Sequence, residues 1–272
     1  MTDASLPAGR FATGEFRIGR VISRTFSVLS RNIVKFSVVT GIGVLPTLLL
    51  PQPSIENAGN PLPNVPLVLI AVVAFLVLSL LSQAIIFYGA FQDMRGRVVN
   101  LADGLQVSLG RFFPLIGLGF IVFMTLIGIG IVTGLLVAVP IVRYFTPLII
   151  IPVMMLFMAW SMGTPVCVVE QVGPVRSLGR SQELTKGSRW RILGLFVLTI
   201  IPGLIISVLV GAAMGAVAVL VPAGGPLLMQ IVTLVWQAIW TAFFSIILAV
   251  AYHDLRVAKE GIDTDQIAAV FE

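Results

Sequence analysis

Charge and the usual residues of catalysis are scarce in this sequence. Only 11% of its 272 residues are charged, whereas a soluble domain carries about 25%. One cysteine, Cys167, excludes an intrachain disulfide, and one histidine, His253, is the only ring available to a nucleophile–histidine pair. No His and Cys cluster has zinc-ligand spacing, so the sequence predicts neither a metal site nor a cofactor. Hydrophobic side chains, by contrast, make up 58% of the chain.

Six apolar stretches are long enough to cross a bilayer, whose core of about 30 Å needs about 20 helical residues. The predicted spans are 33–50, 67–92, 113–139, 147–169, 190–220 and 227–252. Helices are expected because lipid cannot satisfy exposed backbone groups and the alternation of a membrane barrel strand is absent. The sequence therefore predicts an all-α polytopic membrane protein with six transmembrane helices in three hairpins.

Basic residues lie at alternate ends of these spans. Sixteen of the 17 Lys and Arg residues, all except Arg143, fall near the N-terminus, around the second and fourth connections, or after the sixth span. Short basic segments stay in the cytoplasm during insertion, which predicts a bacterial inner-membrane protein with both termini cytoplasmic. Residues 1–31 lack the apolar region of a cleavable signal peptide. We expect a loosely held 1–14, one membrane domain over 15–261 and a short tail over 262–272.

The excess of basic residues also indicates the class of partner. A net charge of +5 would suggest nucleic acid for a soluble protein. Here the cations adjoin bilayer-length spans, so the expected partners are membrane phospholipids and not nucleic acid. A second class of partner expected for such a basic surface is another membrane or cytoplasmic protein. The sequence leaves the homo-oligomeric state open.

Polar segments beside the spans have the periodicity of amphipathic helices. In 15–30 the apolar residues recur at helical spacing, and Arg17, Arg20 and Arg24 share the opposite face. That pattern is typical of a basic helix lying in the membrane interface.

Two shorter amphipathic helices are predicted at 101–110 and 174–186. Asn100 is placed to cap the first of them. Pro174 suits the first turn of the second, and Gly187 suits the position after its last turn.

Two pairs of glycines are spaced four residues apart within the spans. Gly130 and Gly134 lie in the third span, and Gly211 and Gly215 lie in the fifth. Such pairs let helix backbones approach closely. We expect them to pack within the chain rather than across a dimer, so that Gly130→Leu would destabilise the fold.

The polar side chains deep in the spans are uncharged. They are Ser79, Ser82, Gln83, Thr125, Thr133, Ser161, Gln230, Thr233, Gln237, Thr241 and Ser245, joined by Trp160, Trp236 and Trp240. Hydrogen bonding between helices is the ordinary use of such groups. The alternative is the lining of a small cavity, suggested by Gln230 and Gln237 on one face of the sixth span.

Residues 170–191 hold the densest group of charges. The predicted anion-binding residues are Arg176, Arg180, Lys186, Arg189 and Arg191, with Glu170 and Glu183 as acids that orient them. The positive end of the fifth span's helix dipole lies beside them, so a phospholipid headgroup or phosphate is the predicted ligand. Topological anchoring by positive charge alone is the alternative.

The same region carries a family resemblance. Its elements are Val168-Val169-Glu170, Gly173-Pro174, Leu178, Arg180-Ser181, Leu184-Thr185-Lys186-Gly187, Arg189-Trp190-Arg191, and the ending Tyr252-His253-Asp254-Leu255-Arg256 with Lys259-Glu260-Gly261. Together they resemble the membrane domain of bacterial glycerophosphoryl diester phosphodiesterases, a domain that also occurs alone. The resemblance implies that catalysis in the full enzymes belongs to a separate barrel, which needs about 250 residues. Six spans leave no room for that barrel, so phosphodiesterase activity is not expected here.

Three functions are compatible with these features. The first is a non-enzymatic, lipid-contacting scaffold or accessory subunit whose basic face binds anionic phospholipid or a partner. The alternative is a permease for a neutral or lipid-like solute. The third is an interfacial lipid-processing enzyme using Glu170, His253 or Asp254, which requires these three residues to converge in one cleft.

Overall fold

The computed structural model describes residues 16–50, 65–138, 148–221 and 224–261, and within these ranges the chain is helical without strands. The helices are α1 (Ile18–Val44, continued by a 3-10 turn Leu45–Leu49), α2 (Val65–Met94), α3 (Leu101–Gly110), α4 (Phe112–Val137), α5 (Ile150–Trp160), α6 (Gly163–Val169), α7 (Pro174–Thr185), α8 (Arg189–Leu220) and α9 (Gly225–Glu260). Six helical stretches are long and apolar enough to cross a membrane, which confirms the predicted membrane-spanning character. The expectations for 1–14 and 262–272 lie outside the described residues.

The C-terminal half of α9 forms the centre of the fold. Between Ala242 and Leu255 every side chain except Phe244 is buried. The helices α1, α2, α6, α7 and α8 all pack on α9, and the most extensive contact is with α1. A helix that is apolar on all sides is typical of such a buried position. With 36 residues α9 is about 54 Å long, so it extends well beyond a hydrocarbon core of about 30 Å.

A local break divides α1 at the predicted junction between the amphipathic helix and the first span. Asn32 leaves the helical region with φ −128° and ψ 20°. Its amide donates to Asp93 Oδ1 at 2.7 Å, and Arg31 Nη2 donates to Asp93 Oδ2 at 2.5 Å. The end of α2 therefore holds the point at which α1 changes from amphipathic to apolar.

The amphipathic part of α1 differs from its predicted orientation. Its apolar face, with Val21, Thr25 and Val28 fully buried, packs within the protein rather than outward. The physical reason is the length of α9, whose last turns extend far enough to pack along this part of α1. The face predicted to enter the membrane interface is thus part of the protein core.

The two shorter amphipathic helices are confirmed. Asn100 Oδ1 accepts a hydrogen bond from the Ala102 backbone N–H at 3.0 Å and so caps α3. The helix α7 begins at Pro174, and Gly187 after its end has φ 83°, the left-handed conformation that glycine adopts without strain.

Large apolar side chains remain exposed on the halves of the helices remote from this centre. Examples are Leu69, Leu135, Val208 and Val219, which are 59–78% exposed. Exposed apolar surface on this scale is suited to lipid and not to water.

The prediction that the two glycine pairs form close helix contacts is wrong for the described residues. A Cβ added at Gly130, Gly134, Gly211 or Gly215 would meet no described atom within 4 Å. These residues lie in the lipid-suited halves of α4 and α8, where no helix among the described residues approaches closely enough to need glycine. The close approach in α8 is at Gly203 instead, where a Cβ would lie 1.9 Å from the Trp240 ring. Gly130→Leu is therefore not expected to disturb packing among the described residues.

Candidate functional site at the basic end

The charged side chains that the structure describes lie at one end of the bundle, which we call the basic end. Contacts across it join segments that are remote in sequence. Arg111 Nη1 donates to the Gln171 carbonyl at 3.1 Å, and Arg191 Nη1 donates to the Phe16 carbonyl at 3.4 Å. The helices α1 and α7 pack on α9, and α3 packs on α2.

A closed network of side chains joins α7 to α9. Glu170 accepts from Arg180 Nε at 3.1 Å and from the Tyr252 hydroxyl at 3.0 Å. Arg256 donates to Tyr252 Oη at 3.2 Å and to Glu260 Oε2 at 3.0 Å, and Arg180 also pairs with Glu260. We call these five residues the α7–α9 network. The four-residue spacing of Tyr252, Arg256 and Glu260 places them on one face of α9.

Arg180 is accordingly surrounded by acids. Besides Glu170 and Glu260 it lies 3.4 Å from Glu183 Oε2. The two acids predicted to orient the arginines thus both contact Arg180. A guanidinium shared among three carboxylates is poorly suited to an additional anion, so the structure does not favour Arg180 as a headgroup ligand.

A second group of ionic contacts fixes α1 to α9. The Asp254 carboxylate, only 4% exposed, accepts from Arg20 Nε at 3.0 Å and lies 3.5 Å from Arg24 Nη1. His253 Nδ1 is 3.4 Å from Asp254 Oδ1. Two of the three arginines predicted on the basic face of the interfacial helix therefore pair with an acid in the protein, whereas Arg17 is exposed.

The candidate catalytic residues do not form one constellation. Glu170 belongs to the α7–α9 network, whereas His253 and Asp254 contact the arginines of α1. Within the ranges that the structure describes, no three His, Cys, Asp or Glu side chains are placed to hold a metal ion.

Several cations remain without an acidic partner among the described residues. Arg176 and Lys186 are exposed, and Arg189 Nε is buried with no acceptor. Lys259 Nζ donates to the carbonyls of Glu183 and Lys186 at 2.5 and 2.6 Å. Lys186, Arg180 and Arg189 are close enough to repel the Lys259 charge, and the Glu183 carboxylate is close enough to attract it. We call Lys186, Arg189 and Lys259 the basic cluster; it lies where α8 begins, at the positive end of that helix dipole.

Sequence reasoning missed the contribution of α9 to this end. Lys259, Arg256 and Glu260 were not predicted as site residues, although they follow the buried Tyr252 at helical spacing. The available signal was that polar residues at four-residue intervals continue beyond the predicted end of the sixth span.

Only some of the polar groups inside the spans bond between helices as expected. Ser82 Oγ donates to the Val39 carbonyl at 3.0 Å, Thr40 Oγ1 to the Ala238 carbonyl at 2.7 Å, and Trp236 Nε1 to Ser207 Oγ at 2.8 Å. Hydroxyl groups of four predicted residues donate instead to carbonyls three or four residues earlier in the chain: Ser79, Thr125, Ser161 and Ser245. Gln230 and Gln237 are exposed on the outer surface, so the face they share does not favour a transport pathway through the bundle.

No protein-family model, curated protein or solved structure matches this chain.

Proposed function

We propose that this chain is a non-enzymatic integral membrane protein that binds anionic phospholipid headgroups at its basic end, as a scaffold or accessory subunit. The observation that carries the proposal is the basic cluster. Lys186 and Arg189 have no ion pair with a carboxylate among the described residues, and Arg189 Nε has no acceptor there either. Buried N–H groups are normally hydrogen bonded, so a phosphate oxygen would supply what the protein does not.

The ion pairs support a non-enzymatic assignment. Asp254 and Glu170 each accept from arginine, and the bonds of both residues join helices to one another. Carboxylates held in this way act in structure more readily than in proton transfer. The similarity of 168–191 and 252–261 to a phosphodiesterase membrane domain supports an association with phospholipids, without the catalytic barrel.

The proposed orientation places the basic end in the cytoplasm, with three hairpins returning there in the inner membrane. Support comes from the distribution of Lys and Arg, since short basic segments are retained on that side. The basic cluster would then face the inner leaflet, where anionic lipids attract each nearby cation by about 1 kcal/mol.

Removing two of the three cations of the basic cluster should reduce the selectivity for anionic lipid. We expect the double variant Lys186→Gln/Arg189→Gln to lose about tenfold or more in affinity for phosphatidylglycerol, with little change for phosphatidylcholine. Lys259 is left intact because it bonds carbonyls at the end of α7. Native mass spectrometry of the detergent-purified protein measures both affinities.

The matched control is Arg17→Gln/Arg95→Gln, which removes the same charge at the basic end. Neither side chain has a partner among the described residues. This control should retain most of the phosphatidylglycerol affinity. An equal loss in both double variants would show diffuse positive attraction and contradict a site at the basic cluster.

Accessibility to a membrane-impermeant maleimide should test the orientation. Cys167 is buried, and its replacement by alanine leaves a background without cysteine. In that background Val221→Cys should react in intact bacterial cells, whereas Val98→Cys should react only after lysis. Both positions are exposed, at 52% and 85%. Reaction of Val98→Cys in intact cells would overturn the proposed orientation.

A further inference from the structure

A lateral groove of about 590 Å³ lies between α2, α4 and the α5–α6 segment. Most of its walls are apolar, with Val77, Leu80, Val122 and Phe123 among them, and Leu178 of α7 also lines it. Leu178 belongs to a helix of the basic end, so the groove reaches from the spans toward that end. Its volume is in the range of small-molecule sites, about 300–1,000 Å³.

Three polar groups in this groove lack a hydrogen-bond partner within the part of the chain that the structure describes. Trp160 Nε1 is buried without an acceptor. The Gln83 amide and the Thr164 hydroxyl, which also line the groove, have no hydrogen bond to any residue that the structure describes. Ser82, by contrast, is one residue from Gln83 and bonds to the Val39 carbonyl across the α1–α2 contact.

An unsatisfied polar group is costly in a membrane-spanning segment. Hydrocarbon offers neither donor nor acceptor, and a buried group without a partner loses about 1–3 kcal/mol. Acyl chains from bulk lipid would cover the apolar walls but leave the indole N–H and the amide unpaired. A ligand with an acceptor between apolar chains would satisfy both the walls and the polar groups.

We propose that the lateral groove is a binding site for a glycerolipid. The acyl chains lie on the apolar walls, and an ester carbonyl accepts from the donors of Gln83 and Trp160. An ester carbonyl lies between headgroup and chains, which agrees with a groove that runs from the spans to α7. The site is separate from the basic cluster and does not require an anionic headgroup.

A comparison of ester and ether lipids tests the proposal on the unmodified protein. The probes are phosphatidylethanolamine with two ester-linked oleoyl chains and its analogue with two ether-linked chains, which lacks both carbonyls. The ester lipid should bind about fivefold more tightly in native mass spectrometry, the equivalent of one net hydrogen bond. Equal affinities would overturn the proposed role of the carbonyl.

Gln83→Met provides a second test, because it removes the amide and keeps a side chain of similar length. We expect the ester preference to fall to about twofold or less, while the thermal midpoint stays unchanged or rises. A merely structural glutamine would lower the midpoint and leave the preference intact, and that result would contradict the proposal. Trp160→Phe should act in the same direction on the ester preference.

Filling the groove should exclude the lipid irrespective of its linkage. Val122→Trp places a large ring against the groove wall, and we expect binding of both probes to drop about tenfold. The matched control is Val132→Trp, an exposed position of the same helix that does not line the groove. Undiminished binding by Val122→Trp would overturn the location of the site. Loss of phosphatidylglycerol selectivity without any loss of binding to these two probes would indicate a change in the basic cluster and not in the groove.

Discussion

Replacement of Arg180 by methionine should lower the free energy of unfolding by about 3 kcal/mol. The change keeps much of the apolar stem but removes the guanidinium that joins Glu170 to Glu260. These carboxylates are only 16% and 19% exposed, and breaking such a pair leaves like charges facing each other in a poorly hydrated site. The midpoint of thermal unfolding in detergent should fall by about 6 °C or more.

Arg176→Met is the matched control, one turn earlier on the same helix. Arg176 is exposed and has no partner among the described residues, so its removal should change stability by about 0.5 kcal/mol or less. Arg180→Lys should recover only part of the loss, because an ammonium cannot reproduce the planar contacts of a guanidinium. If Arg180→Met and Arg176→Met were equally stable, the α7–α9 network would not hold these helices together.

Replacement of Gly203 by alanine should destabilise the bundle by about 2 kcal/mol. The added Cβ would lie 1.9 Å from the Trp240 ring, so α8 and α9 must separate locally or the ring must move. Trp240 is held between the rings of Trp236, at 6.1 Å, and Phe243, at 5.8 Å. Overpacking of a fixed contact typically costs about 1–3 kcal/mol. Thermal unfolding in detergent measures the effect.

Gly211→Ala serves as the control on the same helix. Its Cβ would meet no described atom within 4 Å, so the gain in helix propensity should stabilise α8 by about 0.5–1 kcal/mol. A second-site change, Trp240→Phe, should restore most of the stability lost in Gly203→Ala, because the smaller ring vacates the contact. The decisive result is a loss of stability in Gly203→Ala together with a gain of stability in Gly211→Ala. Destabilisation at Gly211 alone would contradict the packing described here.

The number and placement of the six spans could be predicted from sequence because uncharged runs of bilayer length have few alternatives. The ends of the spans were harder to predict from the sequence. The sixth span was predicted to end at 252, whereas α9 continues to Glu260 because its polar last turns pack on α1 and α7. The fourth span was predicted at 147–169 and is found over Ile150–Val169, where a turn at Ser161 and Met162 separates α5 from α6.

The pairing of charges could not be derived from local spacing. The pattern at 170–191 predicts a group of cations at an interface, yet it does not show which of them is neutralised. Arg180 meets Glu260, which lies 80 residues later, and that contact follows from the packing of α7 on α9. The spacing of glycines is likewise insufficient to predict helix packing. It shows where a close approach is sterically possible but not whether a neighbouring helix is present.

The central position of α9 also constrains how the protein is made. Among the described helices α9 comes last in sequence, and its most extensive contact is with α1, which comes first. Contacts this distant in sequence form late, after the intervening segments have been synthesised and inserted. A ribosome-bound intermediate with five spans therefore exposes the inner face of α1, including the arginines destined for Asp254. The packing of α1 against α9 is therefore completed only after α9 has been inserted, and the inner face of α1 lacks this partner until then.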